Sequence, residues 1–193
     1  KTETYQITGR KVLILGAGGI GSEIARIAKL GFNDDVTGLS RSFHDPKNFD
    51  RTLPVSYLNE AIGLQDYIFD ALPLNRHTEG ILNYSVLKLL KENVVLVNVG
   101  RGETVNEDDI YRILVERHDV RFGTDVFWRK GGAEVFETKL WQLDNFTGTL
   151  HTGGAYGNLY VLNRAKEIAC KNALKFAEGL SADNEVKMED YQA

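Results

Sequence analysis

The sequence predicts an α/β protein built on a doubly wound parallel sheet of the Rossmann type, with helices on both faces. Short apolar runs alternate with helical patterns, and the first run leads into a glycine-rich turn. The runs are rich in β-branched residues and apolar on both faces, which is typical of strands buried between two helical layers. The predicted strands are 11–15, 35–39, 66–71, 93–98, 120–125 and 146–150, and the predicted helices are 19–30, 57–63, 84–91, 107–117 and 156–179.

The first strand and helix flank a Gly-x-Gly-x-x-Gly turn, which is the most informative feature of the sequence. The first glycine of this pattern allows a tight turn, the second lets a pyrophosphate approach the backbone, and the third lets the helix pack against the strand. The N–H groups at the start of the helix then face the phosphates. The turn predicts a dinucleotide site that includes Gly16, Gly18, Gly19, Ile20 and Gly21.

The end of the second strand indicates which dinucleotide binds. NAD-selective domains place a carboxylate there for the ribose 2′-hydroxyl, but here Ser40, Arg41 and Ser42 follow the predicted strand. Asp34 and Asp35 precede the strand and therefore belong to its opposite end. Hydroxyls and a guanidinium suit a 2′-phosphate, so the sequence favours NADP over NAD. The alternative is that Arg41 is simply solvated.

The later elements carry ordinary boundary signals. Asn106 is a good N-cap for helix 107–117, whose first turn is acidic, and Gly179 marks the end of the last helix. The acids at 107–109 are consecutive and cannot all face one ion, and the histidines lack metal-ligand spacing. The sequence therefore predicts no metal site.

Composition limits the class of protein. The 193 residues are enough for one domain with a substantial core, and the net charge of −4 argues against nucleic acid as a partner. No apolar run is long enough for a membrane span. Cys170 is the single cysteine, which excludes an intrachain disulfide, and its apolar helical surroundings predict a buried position. These features suit a reducing cytoplasm.

Three further segments follow apolar runs and are expected at the same edge of the sheet, namely 72–78, 98–102 and 150–154. They contain Arg101 and His151. An arginine and a histidine beside a nicotinamide suit one reaction: the arginine holds a substrate carboxylate and the histidine exchanges a proton during hydride transfer.

With these segments the sequence resembles the D-isomer-specific 2-hydroxyacid dehydrogenases over residues 7–180. The matching pieces are the glycine turn, Pro73-Leu74 with Thr78, Asn98 to Gly102, Thr124 to Phe127, and the motif 151–154. The resemblance implies that Arg101 binds the substrate carboxylate and that His151 is the general acid/base. It also implies cofactor contacts from both of these residues and from Leu72, Pro73, Thr78, Val99, Gly100, Asp125, Gly153 and Gly154.

The sequence departs from the family pattern in the loop after Phe127. The family usually has a catalytic glutamate followed by proline, at positions occupied here by Lys130 and Gly131. That glutamate normally partners the histidine, and Glu134 or Glu137 is a candidate to replace it; loss of the role is the other reading. Leu150 also stands where the family has proline.

The sequence therefore predicts a dinucleotide-binding Rossmann domain over 1–180, with 181–193 as a remnant of a substrate domain that is largely absent from the chain. We expect hydride transfer between NADP(H) or NAD(H) and a small 2-keto or 2-hydroxy acid, with little turnover by the chain alone. The alternatives are a non-catalytic, redox-sensing dinucleotide module and an enzyme like formate dehydrogenase. The resemblance also implies a homodimer.

Overall fold

A computed structural model describes residues 6–43, 45–154, 158–183 and 185. The strands are β1 (Lys11–Ala17), β2 (Asp35–Phe43), β3 (Arg51–Leu53), β4 (Tyr67–Asp70), β5 (Val95–Asn98), β6 (Arg121–Thr124), β7 (Arg129–Lys130), β8 (Ala133–Glu134) and β9 (Phe146–Gly148). Seven of them form one sheet in which every neighbouring pair is parallel, in the order β3-β2-β1-β4-β5-β6-β9. This order reverses direction at β1, as in a doubly wound fold.

The helices alternate with the strands, as predicted. They are α1 (Gly19–Phe32), α2 (Leu58–Ile62), α3 (Tyr84–Leu87), α4 (Glu107–Glu116) and α5 (Leu159–Ala177). Asn106 caps α4 as predicted, since its side chain accepts a hydrogen bond from the backbone N–H of Asp109. The helix predicted over 84–91 is shorter in the structure, because only Tyr84–Leu87 forms α-helix.

Two packed layers enclose the sheet and confirm that helices cover both faces. Along β1 the side chains alternate, with Leu13 and Leu15 in one apolar cluster and Val12 and Ile14 in the other. All four are buried. The smaller cluster includes Ala25 and Ala28 of α1, and the larger one includes residues of α2, α3 and α4.

The structure corrects the sheet in two places. The sequence pattern does not predict β3, which pairs in parallel with β2 at the edge of the sheet. The second strand is predicted to end at residue 39, whereas β2 continues to Phe43. The loop after Phe127 contains the two-residue strands β7 and β8, which pair antiparallel.

The chain divides into two compact units, Lys1–Gly148 and Thr149–Ala193. The predicted boundary at 180/181 is not where this division falls, and it stays a prediction about domain organisation. The second unit contains α5, which has no buried residue, and Cys170 on this helix is exposed. The prediction that Cys170 lies in a core is therefore wrong. Among the described helices, none is long and apolar enough to cross a membrane.

Candidate functional site

The carboxyl ends of three neighbouring strands in the first unit carry buried polar side chains. Asp70 ends β4, Asn98 ends β5 and Thr124 ends β6, and the strand register places each beside the next. All three are buried. In a doubly wound sheet this edge is where ligands bind, so these residues form the floor of the candidate site.

The glycine turn at the end of β1 has the geometry that its sequence predicts. Gly16 has a φ of +88°, and a Cβ there would lie 2.7 Å from the carbonyl oxygen of Ala71. A Cβ at Gly21 would lie 1.8 Å from the carbonyl oxygen of Gly16. The first glycine thus permits the turn and the third permits close packing of α1 on the turn, which leaves no room for a side chain at either position.

The second glycine has a different environment, which fits a bound pyrophosphate. Helix α1 begins at Gly19 with Gly18 as its N-cap, no side chain caps it, and its first turn contains no acid. A Cβ at Gly18 or Gly19 would meet no described atom within 4 Å. The first N–H groups of a helix need an acceptor from outside the helix, and their partial positive charge favours an anion. Ile20 lies beside them in the same turn and is exposed.

The serines and arginine predicted to choose the dinucleotide lie beside this turn. The register between β1 and β2 shifts at Gly16: Leu15 pairs with Leu39 and Ala17 pairs with Phe43. Ser40, Arg41 and Ser42 therefore all lie opposite Gly16, and Arg41 and Ser42 are exposed.

The acids that precede β2 lie at the far end of the strand, as the sequence predicts. Asp35 pairs with Lys11 at the start of β1, and Asp34 accepts a hydrogen bond from the backbone N–H of Arg10. Because β2 is longer than predicted, one further acid, Asp45, comes two residues after its end. Asp45 accepts a hydrogen bond from the backbone N–H of Lys47 and pairs with the Lys47 ammonium at 2.8 Å.

Arg101 follows β5 and is held by close backbone contacts on both sides. A Cβ at Gly100 would lie 2.6 Å from the carbonyl oxygen of Leu72, and one at Gly102 would lie 2.3 Å from the backbone of Phe127. The segment is therefore clamped between the chain that follows β4 and the chain that follows β6. The arginine side chain is exposed, and its Nη1 donates to the Gly100 carbonyl at 2.7 Å.

A buried hydrogen-bond network lies beneath the arginine segment. Asn98 Nδ2 donates to the Arg101 carbonyl at 2.9 Å, and Asn98 Oδ1 accepts from the Gly100 N–H at 2.9 Å. Thr104 Oγ1 lies 2.7 Å from the Arg101 carbonyl and 2.5 Å from Asp70 Oδ2. Burial raises the pKa of Asp70 to about 6, against lowering by the hydrogen bonds of Thr104 and Leu72.

Asp70 and Thr104 are not predicted by the sequence analysis above. The sequence does indicate Asp70, since an acid at the end of an otherwise apolar strand needs a hydrogen-bond partner when it is buried. Its partner is 34 residues away along the chain, so only the topology brings the two together.

The other residues expected along the cofactor path surround this edge. Leu72 is buried, Pro73 is exposed and Val99 is partly buried, with its N–H donating to the Asp70 carbonyl at 2.9 Å. Thr78 closes its own turn: its hydroxyl donates to the Pro73 carbonyl at 2.6 Å and accepts from the Asn75 N–H at 2.9 Å. The Asp125 N–H donates to the Asn98 carbonyl at 3.2 Å. Their contacts with a cofactor stay a prediction.

The loop that departs from the family pattern places Glu134 next to the end of β6. Glu134 Oε1 accepts a hydrogen bond from the Phe127 N–H at 2.5 Å. Lys130, at the position where the family has its glutamate, pairs with Glu107 at 3.4 Å. Glu134 is partly buried and Glu137 is exposed, and the role of either as the partner of the histidine stays a prediction.

His151 belongs to the second unit, as do Gly153 and Gly154. Its φ is +53°, a conformation in which histidine is more common than most residues with a side chain. Its N–H donates to the Thr149 carbonyl at 3.0 Å, and its side chain is exposed. Catalysis by His151 and cofactor contact by the two glycines stay predictions.

Known proteins resemble this chain over most of its length. Residues 1–153 match the family described as D-isomer specific 2-hydroxyacid dehydrogenase, NAD binding domain. A glyoxylate reductase from Pyrococcus horikoshii is 30% identical over 175 residues, which are 91% of this chain and 51% of that protein. A hydroxypyruvate reductase from Thermotoga maritima is 31% identical over 152 residues, which are 78% of this chain and 48% of that protein.

Solved structures of similar sequence have the same fold as this chain. A candidate formate dehydrogenase from Pyrobaculum aerophilum superposes with a TM-score of 0.84 at 35% identity, covering 98% of this chain and 61% of that one. The chain spans about half the length of the curated relatives it matches. The glycine turn, the sheet order and the matched residues lead to one conclusion: the chain belongs to the D-isomer-specific 2-hydroxyacid dehydrogenases and contains their NAD-binding domain.

Proposed function

We propose that this chain is the nucleotide-binding part of an oxidoreductase that reduces a small 2-keto acid, such as glyoxylate or hydroxypyruvate, with NADP(H). The observation that carries the proposal is that an uncapped helix N-terminus, which favours an anion, and the firmly held Arg101 segment lie at the same edge of one sheet. Glyoxylate reductase and hydroxypyruvate reductase activities belong to the relatives, and we extend this substrate class to the present chain.

A nicotinamide dinucleotide would supply the hydride. The N–H groups around Gly18 and Gly19 would hold its pyrophosphate, because this helix start has neither a cap nor an acid. Arg101 would hold the substrate carboxylate, because a guanidinium offers paired donors to a carboxylate. His151 would give a proton to the carbonyl oxygen of the keto acid as it becomes a hydroxyl.

The preference for NADP rests on the residues opposite Gly16. Arg41 and Ser42 are exposed there, and a guanidinium with hydroxyls suits a phosphate monoester. Asp45, the acid nearest the end of β2, is paired with Lys47. A homodimer and a cytoplasmic location are further parts of the proposal that follow from the family resemblance and from composition.

Gly18→Asp separates nucleotide binding from folding. The position has room for a side chain and a φ of −76°, and aspartate is a preferred N-cap. The variant should therefore be at least as stable as the parent chain. The new carboxylate would occupy the place of the pyrophosphate and repel it, so NADPH and NADH binding, measured by nicotinamide fluorescence, should be lost. A stable variant that binds both dinucleotides like the parent would refute the pyrophosphate site.

Turnover tests the remaining part of the proposal. NADPH oxidation is followed with glyoxylate and with hydroxypyruvate, beside NADP⁺ reduction with formate. Arg101→Ala should raise KM and lower kcat for the keto acids, because the arginine would both bind and polarise the substrate. Binding of dinucleotide without turnover of any keto acid, in the longest natural form of the protein, would favour a redox-sensing module. Formate oxidation in place of keto-acid reduction would favour the formate dehydrogenase branch.

A further inference from the structure

The hydroxyl of Thr104 has more acceptors around it than it has hydrogens. Its Oγ1 lies 2.5 Å from Asp70 Oδ2 and 2.7 Å from the Arg101 carbonyl oxygen. Both distances are those of O–H···O hydrogen bonds. A threonine hydroxyl has one hydrogen and two lone pairs, so it can donate to only one of these two oxygens. The other bond needs a hydrogen from elsewhere.

We propose that in the folded chain at mildly acidic pH Asp70 carries this hydrogen and, as a neutral carboxylic acid, positions the Arg101 segment through Thr104. Asp70 Oδ2–H donates to Thr104 Oγ1, and Thr104 Oγ1–H donates to the Arg101 carbonyl. Asn98 Nδ2, 3.4 Å from Thr104 Oγ1, faces the remaining lone pair. This arrangement uses the one donor and both acceptor sites of the hydroxyl.

The surroundings of Asp70 favour the neutral form. The side chain is fully buried, and Oδ1 accepts from the Leu72 N–H at 3.0 Å. Its neighbours in the sheet are Leu15 and Asn98, neither of which is charged. Burying a carboxylate without a cation is costly, and burial raises the pKa of Asp70 to about 6.

Two charged residues lie on the segment that packs over Asp70, and both have partners elsewhere. The Arg101 side chain is exposed and donates to the Gly100 carbonyl. Glu103 Oε1 accepts from the Arg129 N–H at 3.1 Å. Burial raises the pKa of Asp70, and the hydrogen bonds from Thr104 and Leu72 lower it.

Ionisation of Asp70 would redirect the network. The Thr104 hydroxyl would then donate to the carboxylate, and the Arg101 carbonyl would lose that donor. The carbonyl would keep Asn98 Nδ2 and the Thr104 N–H, at 2.9 and 3.2 Å. The segment would remain folded but be held less firmly, so protonation of Asp70 controls how well the arginine is placed.

The first test is direct and needs no ligand. The chain is labelled with 13C at aspartate carboxyls, and the Asp70 signal is assigned by its loss in Asp70→Asn. We expect its titration midpoint near or above pH 6, with the amide signals of residues 101–104 moving at the same midpoint. Those amide shifts should be absent in Asp70→Asn, whose amide donates to Thr104 and accepts from Leu72 as the protonated acid does. A midpoint near pH 4, or amides that move equally in Asp70→Asn, would overturn the proposal.

Thr104 provides the second test. Thr104→Ser keeps the hydroxyl and should keep the coupled amide shifts, whereas Thr104→Val should abolish them while the Asp70 midpoint stays raised. Equal amide shifts in the serine and valine variants would overturn the proposal that Asp70 acts on the Arg101 segment through the Thr104 hydroxyl. If Thr104→Val does not fold, Thr104→Ser together with Asp70→Asn still decides the proposal.

A third test rests on the proposed function and uses glyoxylate reduction by the longest natural form of the protein. KM should rise by roughly two- to tenfold across the Asp70 titration, the effect of one hydrogen bond, and should be flat in Asp70→Asn. A KM profile that is unchanged by the substitution would overturn the positioning role. Absence of turnover beside a raised Asp70 midpoint would count against the proposed function and leave the proton assignment supported.

Discussion

Replacing Asp70 with asparagine should change how the stability of the chain depends on pH. The folded pKa of Asp70 is raised from 3.8 to about 6 by burial, so the folded state keeps a proton that the unfolded state has already released. Between these two values the folded state binds more protons, and the free energy of unfolding falls as pH rises. This stabilisation is fully present below pH 3.8 and is lost as pH rises through about 6.

The rise from 3.8 to about 6 corresponds to about 3 kcal/mol, because each pKa unit is worth about 1.36 kcal/mol. The asparagine of Asp70→Asn cannot ionise, so the variant does not lose this stabilisation as pH rises. The stability of the variant relative to the parent should therefore increase by about 2.4 kcal/mol between pH 4 and pH 8, because at pH 4 part of the unfolded chain still holds the proton. Other titrating groups are common to both proteins and cancel in this comparison.

Urea unfolding followed by tryptophan fluorescence measures the effect. Trp128 and Trp141 both lie in the same compact unit as Asp70, and they are the two tryptophans of the chain. Asp50→Asn is the control, because the Lys29 ammonium and the Val36 N–H hold the pKa of Asp50 below its ordinary value of 3.8. Its stability relative to the parent should be nearly constant from pH 4 to pH 8 and should increase only as pH falls below 3.8. A relative stability of Asp70→Asn that stays constant from pH 4 to pH 8, or decreases, would show that Asp70 is ionised in the folded chain.

Other expectations concern the glycine turn, cofactor choice and proton transfer. Gly21→Ala forces a Cβ to within 1.8 Å of a backbone oxygen and should lower the free energy of unfolding in urea by about 3 kcal/mol or more. Gly31→Ala in the same helix meets no atom within 4 Å and should be neutral or stabilising by up to about 1 kcal/mol. Equal effects of the two substitutions would contradict the packing argument. Arg41→Ala should weaken NADPH binding by about 1.5–3 kcal/mol in calorimetry without changing NADH binding. Arg26→Ala removes another exposed arginine, which is paired with Glu23, and should affect neither dinucleotide. Loss of both dinucleotides in Arg41→Ala would refute a 2′-phosphate contact. His151→Ala should slow keto-acid reduction by roughly 10²–10⁴-fold, and near-normal turnover would remove His151 from the mechanism.

The sequence was sufficient where structure is determined locally. A strand, a glycine turn and a helix that follow one another depend on contacts within a few residues, such as that between Gly21 and Gly16. The continuous apolar run of β1 predicted that both faces of the sheet are covered, because a strand that is apolar on both faces needs two layers. Asn106 was recognisable as a helix start because its cap contact lies within three residues, with the backbone N–H of Asp109.

The predictions were wrong or incomplete for features that depend on contacts between residues far apart in the sequence. Strand β3 has no apolar pattern, since Arg51 and Thr52 are exposed; it forms by pairing with β2, with Arg51 bonded to Asp35 at 2.6 Å. The extension of β2 to Phe43 depends on the shifted pairing with β1. Cys170 lies on an apolar helical pattern but is exposed, because periodicity shows which face is apolar and not whether that face is covered.

The two places that would hold anions are built on different principles, and this difference can be tested. The glycine turn uses backbone N–H groups, which do not titrate, whereas the Arg101 segment depends on a buried acid whose pKa lies near 6. NADH is the suitable probe for the turn, because the 2′-phosphate of NADPH itself titrates near pH 6. NADH affinity should therefore stay flat from pH 5 to pH 8 while the KM for glyoxylate rises, and Asp70→Asn should flatten only the second profile. If NADH affinity followed the same profile and lost it in Asp70→Asn, the network would control the whole edge of the sheet and not the arginine alone.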